Sequence, residues 1–507
     1  MAEQPEQVAR VPLPGGGTQT EQQRPRRPIQ DPRTHHAGFH RLHGRRAVPV
    51  SPLASAFFRT ENRMSHAPQT AAKGKLGIWM CTALVVGNMI GSGVFLLPAS
   101  LAQYGGASLI GWVITSLGAI CLALVFARLA TLLPHKAGGP YAYIHEGFGD
   151  FAGFLIAWGY WIALWAGNAA LTVAGVSYLG VFFPQLNDSS LAAGATAIGL
   201  IWLVTWINSR GAQSSGRVAI VTTLIKLLPL AGVTIAGLLY LNPDFVVFNP
   251  QHKPLSEAIP ATMALTLWAF LGLESASVPA GDVEQPERTI PRATVLGTLL
   301  AAALYIASTV ALQGLMPAAT LAASAAPFAD AARSLWGDWA YYAVGLGAVI
   351  SCFGALNGWC LMQGHIPAAA ARDKLFPAFF KRENRAGVPI VGLLLSTLLV
   401  TILLACKYAG GDSGVQIFEF VILLATATTL LPYAFCAMAL LAVMLQRHRQ
   451  FHPRDWLAPL AFSGGGFVFA LWTIFGSGAE VVMWGVLLLL AGLPVYLWQL
   501  RENIVKA

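Results

Sequence analysis

Three stretches of this 507-residue chain combine residue types that suit binding chemistry in an apolar setting. GNMIGSGVFLLP (87–98) interrupts one apolar run with Gly91, Ser92 and Gly93. TLWAFLGLESASV (266–278) interrupts another, at a matching depth, with Gly272 and the lone carboxylate of Glu274. Unwinding at Gly91–Gly93 frees backbone N–H groups at the start of a second half-helix, a positive dipole end suited to a carboxylate. It also frees carbonyls at Met89 and around Trp268–Leu271, which suit an ammonium group. One site of this kind reads the zwitterionic head of an α-amino acid. A buried carboxylate such as Glu274 costs roughly 2.5–3.5 kcal/mol on insertion scales and usually marks an ion or proton pathway. It can exchange a proton with an arriving cation. The plainer alternatives are small residues that only let helices pack closely and a carboxyl that only hydrogen-bonds nearby backbone.

The third stretch, VTTLIKLLP (221–229), places Lys226 well inside an apolar run. At the helical rise its depth is on the order of 13 Å, a long reach for a side chain to snorkel to the interface. Either Lys226 runs between helices to the cytoplasmic surface, or it serves as a cation within the bundle.

These residues sit on segments long enough to cross a bilayer. The chain is 55% hydrophobic and 11% charged, with a mean hydropathy of +0.59, which is too apolar for a soluble fold. Apolar stretches of membrane-crossing length lie at about 76–103, 108–133, 150–182, 191–208, 217–240, 257–282, 294–316, 339–367, 388–407, 415–445, 456–476 and 479–499. The fold class is therefore an all-α polytopic membrane protein with 12 transmembrane helices. Interruptions in the first and sixth spans point to an inverted repeat of five plus five spans, with broken helices 1 and 6 and two extra helices. Residues 74–500 form the transporter domain, with repeat one at 76–240, repeat two at 257–445 and accessory helices at 456–499; 501–507 is a cytoplasmic tail. Residues 1–73 are rich in Pro, Arg, Gln, Gly and His without hydrophobic period and are expected to be disordered. Met64 is an alternative translation start.

Charge distribution sets the orientation and removes several function classes. Residues 1–75 hold 12 Lys/Arg and 5 Asp/Glu of the 32 and 23 in the chain, so most of the net +9 belongs to the tail and is no sign of nucleic acid binding. Beyond the tail, Arg and Lys cluster in alternate connections, from Arg128 and Lys136 through the group Arg372–Arg385 to Arg501 and Lys506, whereas the intervening ones carry only Lys253, Arg333 and Lys407. By the positive-inside rule both termini are cytoplasmic, and the protein spans the inner membrane in contact with the lipid bilayer. The six cysteines show neither metal-ligand nor disulfide spacing. With no nucleophile–base constellation either, no enzyme activity and no cofactor are expected. A nutrient receptor lacks a folded signalling domain here, and a channel lacks repeated filter elements.

GNMIGSGVFLLP, GGPYAYIHEGFG (138–149), YWIALWAGN (160–168), TLWAFLGLESASV and the pair Gly358-Trp359 resemble the basic amino acid/polyamine antiporters of the amino acid–polyamine–organocation superfamily, with the bacterial arginine/agmatine antiporter as the nearest look-alike. The resemblance covers residues 74–500 and implies the five-plus-five fold, often as a homodimer. It implies that Gly91, Ser92 and Gly93 meet the substrate carboxylate and that the backbone of Met89, Trp268 and Leu271 accepts the α-amino group. Trp359 would stack on the cationic end, where an indole face is worth up to about 2 kcal/mol, with Asn168 nearby. Trp268 would gate the site, Tyr160 and Glu274 would line it, and Tyr141 matches a tyrosine tied to pH response.

Two departures qualify the resemblance. The arginine/agmatine carriers have a cysteine where this chain has Leu164, and a serine near Leu423; both contact the guanidinium. Ornithine/putrescine and lysine/cadaverine exchange therefore stand beside arginine/agmatine exchange as readings. Lys226 has no charged counterpart in those antiporters, whereas proton-coupled relatives often carry a lysine on span 5 beside the broken part of span 1. A proton-coupled basic amino acid permease is thus an alternative to obligatory exchange, whose expected part is in acid resistance or polyamine metabolism.

Overall fold

A computed structural model describes residues 76–133, 139–211, 216–277 and 283–506, of which 216–225 and 503–506 are described by their backbone alone. The tail at 1–73 and the Met64 start lie outside the described residues. The described residues are overwhelmingly helical, and eleven of their helical segments are long and apolar enough to cross a membrane.

The first of these segments is two helices, α1 (Ile78–Met89) and α2 (Ser92–Ala102), joined at Ile90 and Gly91. Then follow α3 (Ala107–Leu132), the short α4 (Pro140–Phe148), α5 (Asp150–Leu179), α6 (Ser190–Ser209) and α7 (Gly216–Leu239). The sixth apolar run begins as α8 (Leu255–Leu267) and ends in single 3-10 turns at Trp268–Phe270 and Ser275–Ser277. After it come α9 (Pro286–Leu315), α10 (Pro327–Trp336), α11 (Asp338–Arg372), α12 (Ile390–Ala409), α13 (Gly414–Gln446), α14 (Leu457–Gly476), α15 (Ala479–Leu490) and α16 (Gly492–Lys506).

Several boundaries differ from the hydropathy reading for identifiable reasons. Helix α9 starts before the apolar run because Pro286 suits the first helical position and Glu287 the positive N-terminus; hydropathy registers only the apolar part. The last span is interrupted at Ala491, which separates α15 from α16. Helix α10 was hidden by its mixed composition, yet it buries Phe328, Ala329, Ala331 and Ala332.

Helix α5 is the axis of the bundle: 94% of its apolar window is buried, against 17% for the last span, Ala479–Glu502. It packs on α11 and α13, while α3 packs on α8 and α9. Its small residues, Gly153, Gly159, Gly167 and Gly175, let neighbouring helices approach closely. The face of the last helices is lined with exposed Trp472, Phe475, Trp484 and Leu487, as a lipid-facing surface requires.

Candidate functional site

The two interruptions meet in the interior. A Cβ placed on Gly93 would lie 3.1 Å from Cδ1 of Trp268 and 3.3 Å from Ala269, so the start of α2 abuts the end of α8. At the second break Leu271 is extended and Gly272 adopts φ +99°, a left-handed geometry that glycine tolerates without penalty. A side chain there would also meet Cβ of Asn88, 3.2 Å away on α1. The first break is tighter than the sequence suggested. Only Ile90 and Gly91 leave the helix, and Ser92 and Gly93 already belong to α2. The break is thus two residues rather than an unwound triplet, and α2 begins at once at Ser92 with its first amides free of intrahelical acceptors.

Backbone groups released at membrane depth must find partners inside the protein, and several of the carbonyls here do. Lys226, 5% exposed, donates from Nζ to the carbonyl oxygen of Ile90 at 2.8 Å and to that of Gly87. The side chain therefore stays within the bundle at the broken end of α1 and does not run to the surface. Gly91 N–H bonds the carbonyl of Met89 at 3.0 Å, and Leu271 N–H bonds that of Trp268 at 3.2 Å. Tyr305 Oη donates to the carbonyl of Ala269 at 2.9 Å. The first amides of α2 have no intrahelical acceptor by helix geometry, and the buried Oγ of Ser92 has no partner among the described residues.

Glu274 is held from two sides. Tyr160 Oη on α5 donates to one carboxyl oxygen at 2.6 Å, and Tyr433 Oη on α13 donates to the other at 2.7 Å. The carboxyl group, 2% exposed, thereby ties the sixth-span break to both helices. Tyr433 escaped the sequence reading, although its place beside Pro432 in an otherwise apolar run was a signal.

Trp268 and Trp359 face each other with ring centroids 5.6 Å apart at 51°. Both are 5% exposed. Gly167 forms their floor: a Cβ there would stand 2.6 Å from Cζ3 of Trp359 and 3.0 Å from Cη2 of Trp268. Gly167→Ala is therefore expected to displace an indole, at about 1–3 kcal/mol for overpacking, and to weaken apparent substrate affinity roughly tenfold. Gly175→Ala is the control on the same helix, since its nearest atoms are 3.6 Å away; exchange assays in proteoliposomes compare the two. The next residue, Asn168, is fully buried and donates from Nδ2 to Oε1 of Gln363 at 2.6 Å. Leu164, also fully buried, brings no polar atom to this region.

Tyr141 stands apart from these residues. It lies on α4, outside the spans, and its Oη donates to Oδ2 of Asp373 at 3.2 Å, just beyond the end of α11. Burial, reinforced by the Asp373 carboxylate, pushes its phenol well above the ordinary tyrosine range. The phenol therefore keeps its proton and donates it to Asp373.

A cavity of about 610 Å³ opens near the far end of α2, lined among others by Ala99, Gln103, Ser177, Tyr408, Asp412 and Glu419. It belongs to the face whose connections carry few Lys and Arg. None of Ser92, Gly93, Trp268 or Trp359 lines it.

The chain has known relatives. An amino acid permease family model matches residues 76–495. The cadaverine/lysine antiporter of Escherichia coli K12 is 38% identical over 375 residues, covering 72% of this chain and 83% of that protein. The putrescine transporters PotE of Haemophilus influenzae and of Escherichia coli K12 are 32% and 31% identical, each over 84% of this chain and 97% and 96% of their own lengths. These relatives are transporters of small amines, and the apolar helices make this chain a multi-pass membrane protein. The paired breaks, the buried glutamate and the indole pair thus stand in a member of the amino acid permease family, from its basic amino acid/polyamine antiporter branch within the amino acid–polyamine–organocation superfamily.

Proposed function

We propose that the protein exchanges a basic amino acid for the amine left by its decarboxylation, and that the pair is a diamino acid and its diamine, of the lysine/cadaverine or ornithine/putrescine kind. The observation that carries this reading is the abutment of the two helix breaks beside an indole pair and a buried amide. The α2 amides and Ser92 would take the carboxylate, and the Met89, Trp268 and Leu271 carbonyls the α-amino group. Trp359 and Asn168 would take the distal cation, with Trp268 closing over it. The similarity to cadaverine/lysine and putrescine carriers supports the same substrate class. Arginine/agmatine exchange is the second reading, favoured by the motif resemblance and disfavoured by Leu164, which gives a guanidinium nothing to bond.

In each turn a diamino acid of net charge +1 enters and a diamine of charge +2 leaves, so one positive charge is exported. That matches the proton consumed when a carboxylate is removed inside. We take Lys226 as the occupant of a coupling cation's place and Glu274 as the proton-exchanging group. We further take Gly216–Leu239 as a twelfth crossing, giving five plus five spans and two accessory ones in an inner-membrane homodimer with cytoplasmic termini. The acidic cavity then faces outward, where it would gather cations.

The decisive experiment is uptake into proteoliposomes preloaded with lysine, with cadaverine, ornithine, putrescine, arginine and agmatine compared outside and empty liposomes as the control. Uptake of diamines that requires internal lysine is the expected result. Substantial pH-driven uptake into empty liposomes would establish symport and overturn exchange.

A further inference from the structure

Asn168 and Gln363 lie 195 positions apart and meet in the interior beside the indole pair: a Cβ on Gly167 would run into both rings, and Gln363 stands one helical turn from Trp359 on α11. Their bond is one link in a polar chain with a direction. Thr397 Oγ1 donates to the carbonyl of Leu393 at 2.9 Å, one turn back on α12. A hydroxyl has a single hydrogen, so the oxygen of Thr397 is left to accept, and Gln363 Nε2 donates to it at 3.2 Å. The other end of the Gln363 amide, Oε1, must then face Asn168 and accept from its Nδ2. The chain ends on Asn168 Oδ1, a buried oxygen that accepts no hydrogen bond among the described residues. A desolvated acceptor without a donor is costly, and its place beside the indoles suggests what supplies the donor.

We propose that Gln363 is a specificity-determining positioning residue: by holding the Asn168 N–H it presents the Asn168 carbonyl oxygen to a primary ammonium at the distal end of the substrate. The assignment rests on the exchange reading above and narrows it to ω-amines over guanidines. An ammonium carries three donors on one compact centre, whereas a guanidinium spreads five over a plane. One amide oxygen and an indole face suit the first, and fully buried Leu164 offers nothing to the rest of the second.

The test measures apparent affinities for lysine, cadaverine and arginine in proteoliposomes, with competition by norleucine, which has the zwitterionic head but no distal amine. Gln363→Leu releases the Asn168 amide and is expected to weaken lysine and cadaverine about tenfold, the size of one charge-assisted hydrogen bond. Arginine changes less, so the lysine-to-arginine preference falls, and norleucine competition stays as in the wild type. Adding Asn168→Asp to Gln363→Leu restores lysine affinity, since a carboxylate accepts in either rotation. Thr397→Val, nearly isosteric, removes the oxygen acceptor for Gln363 Nε2 and leaves it only the weaker Cys360 Sγ at 3.5 Å; it shifts the preference the same way and decides the point where Gln363→Leu is not recovered folded. Equal weakening of lysine, arginine and norleucine in these variants, or no restoration by the double change, overturns the role of Gln363 and leaves the exchange reading intact. A wild type that exchanges none of the basic substrates overturns both.

Discussion

Lys226→Met lowers exchange at least tenfold and flattens its dependence on pH. Methionine fills nearly the same volume but donates no hydrogen bond, so the carbonyls of Ile90 and Gly87 lose the ammonium that bridges them. Each buried acceptor left alone costs about 1–3 kcal/mol, and the loss falls where α1 ends and the candidate site begins. An ammonium that can shed its proton during the cycle can also release those carbonyls, letting the half-helix move; a methionine cannot switch. Lys226→Arg separates the two contributions, because a guanidinium keeps the charge and never deprotonates. It should preserve substrate binding and slow exchange. Rates in proteoliposomes from pH 5 to 8 check both variants, and Lys226→Met with wild-type rate and pH profile would refute the coupling role.

How much of this was legible in the sequence depends on which physical quantity a residue reports. Depth in a membrane is one-dimensional, and apolar run length reads it well: eleven of the twelve expected spans, both breaks and the interior position of Lys226 followed from composition and spacing. Direction around a helix is a second coordinate that a run apolar on all sides does not encode. Lys226 was therefore placed at the right depth with two destinations open, and the contact with the end of α1 decided between them. Polar partners fared worst. Gln363 meets Asn168 across 195 positions and Tyr433 meets Glu274 across 159, and nothing local announces such pairings. The triplet at 91–93 was read as a wider opening than it is, because glycine reports permission to leave a helix and not the number of residues that do so.

Glu274→Gln is the most discriminating change in the candidate site. Glutamine keeps the shape of the side chain and can accept from one phenol with its oxygen while its N–H₂ donates to the other, so Tyr160 and Tyr433 retain partners and the break stays tied to α5 and α13. What is removed is the ability to carry a negative charge or exchange a proton. If that ability drives the cycle, exchange falls about tenfold or more, equivalent to roughly 1.4 kcal/mol or more added to the barrier of the proton-carrying step, while the purified protein elutes and melts as the wild type does. Glu274→Leu behaves differently: both phenols lose their acceptor within the bundle, and stability falls along with transport. The comparison separates a working carboxylate from a structural one. Glutamine supporting exchange at the wild-type rate, with leucine alone defective, would leave Glu274 as a brace between three helices and move the proton-exchanging role elsewhere, with Lys226 the first place to look.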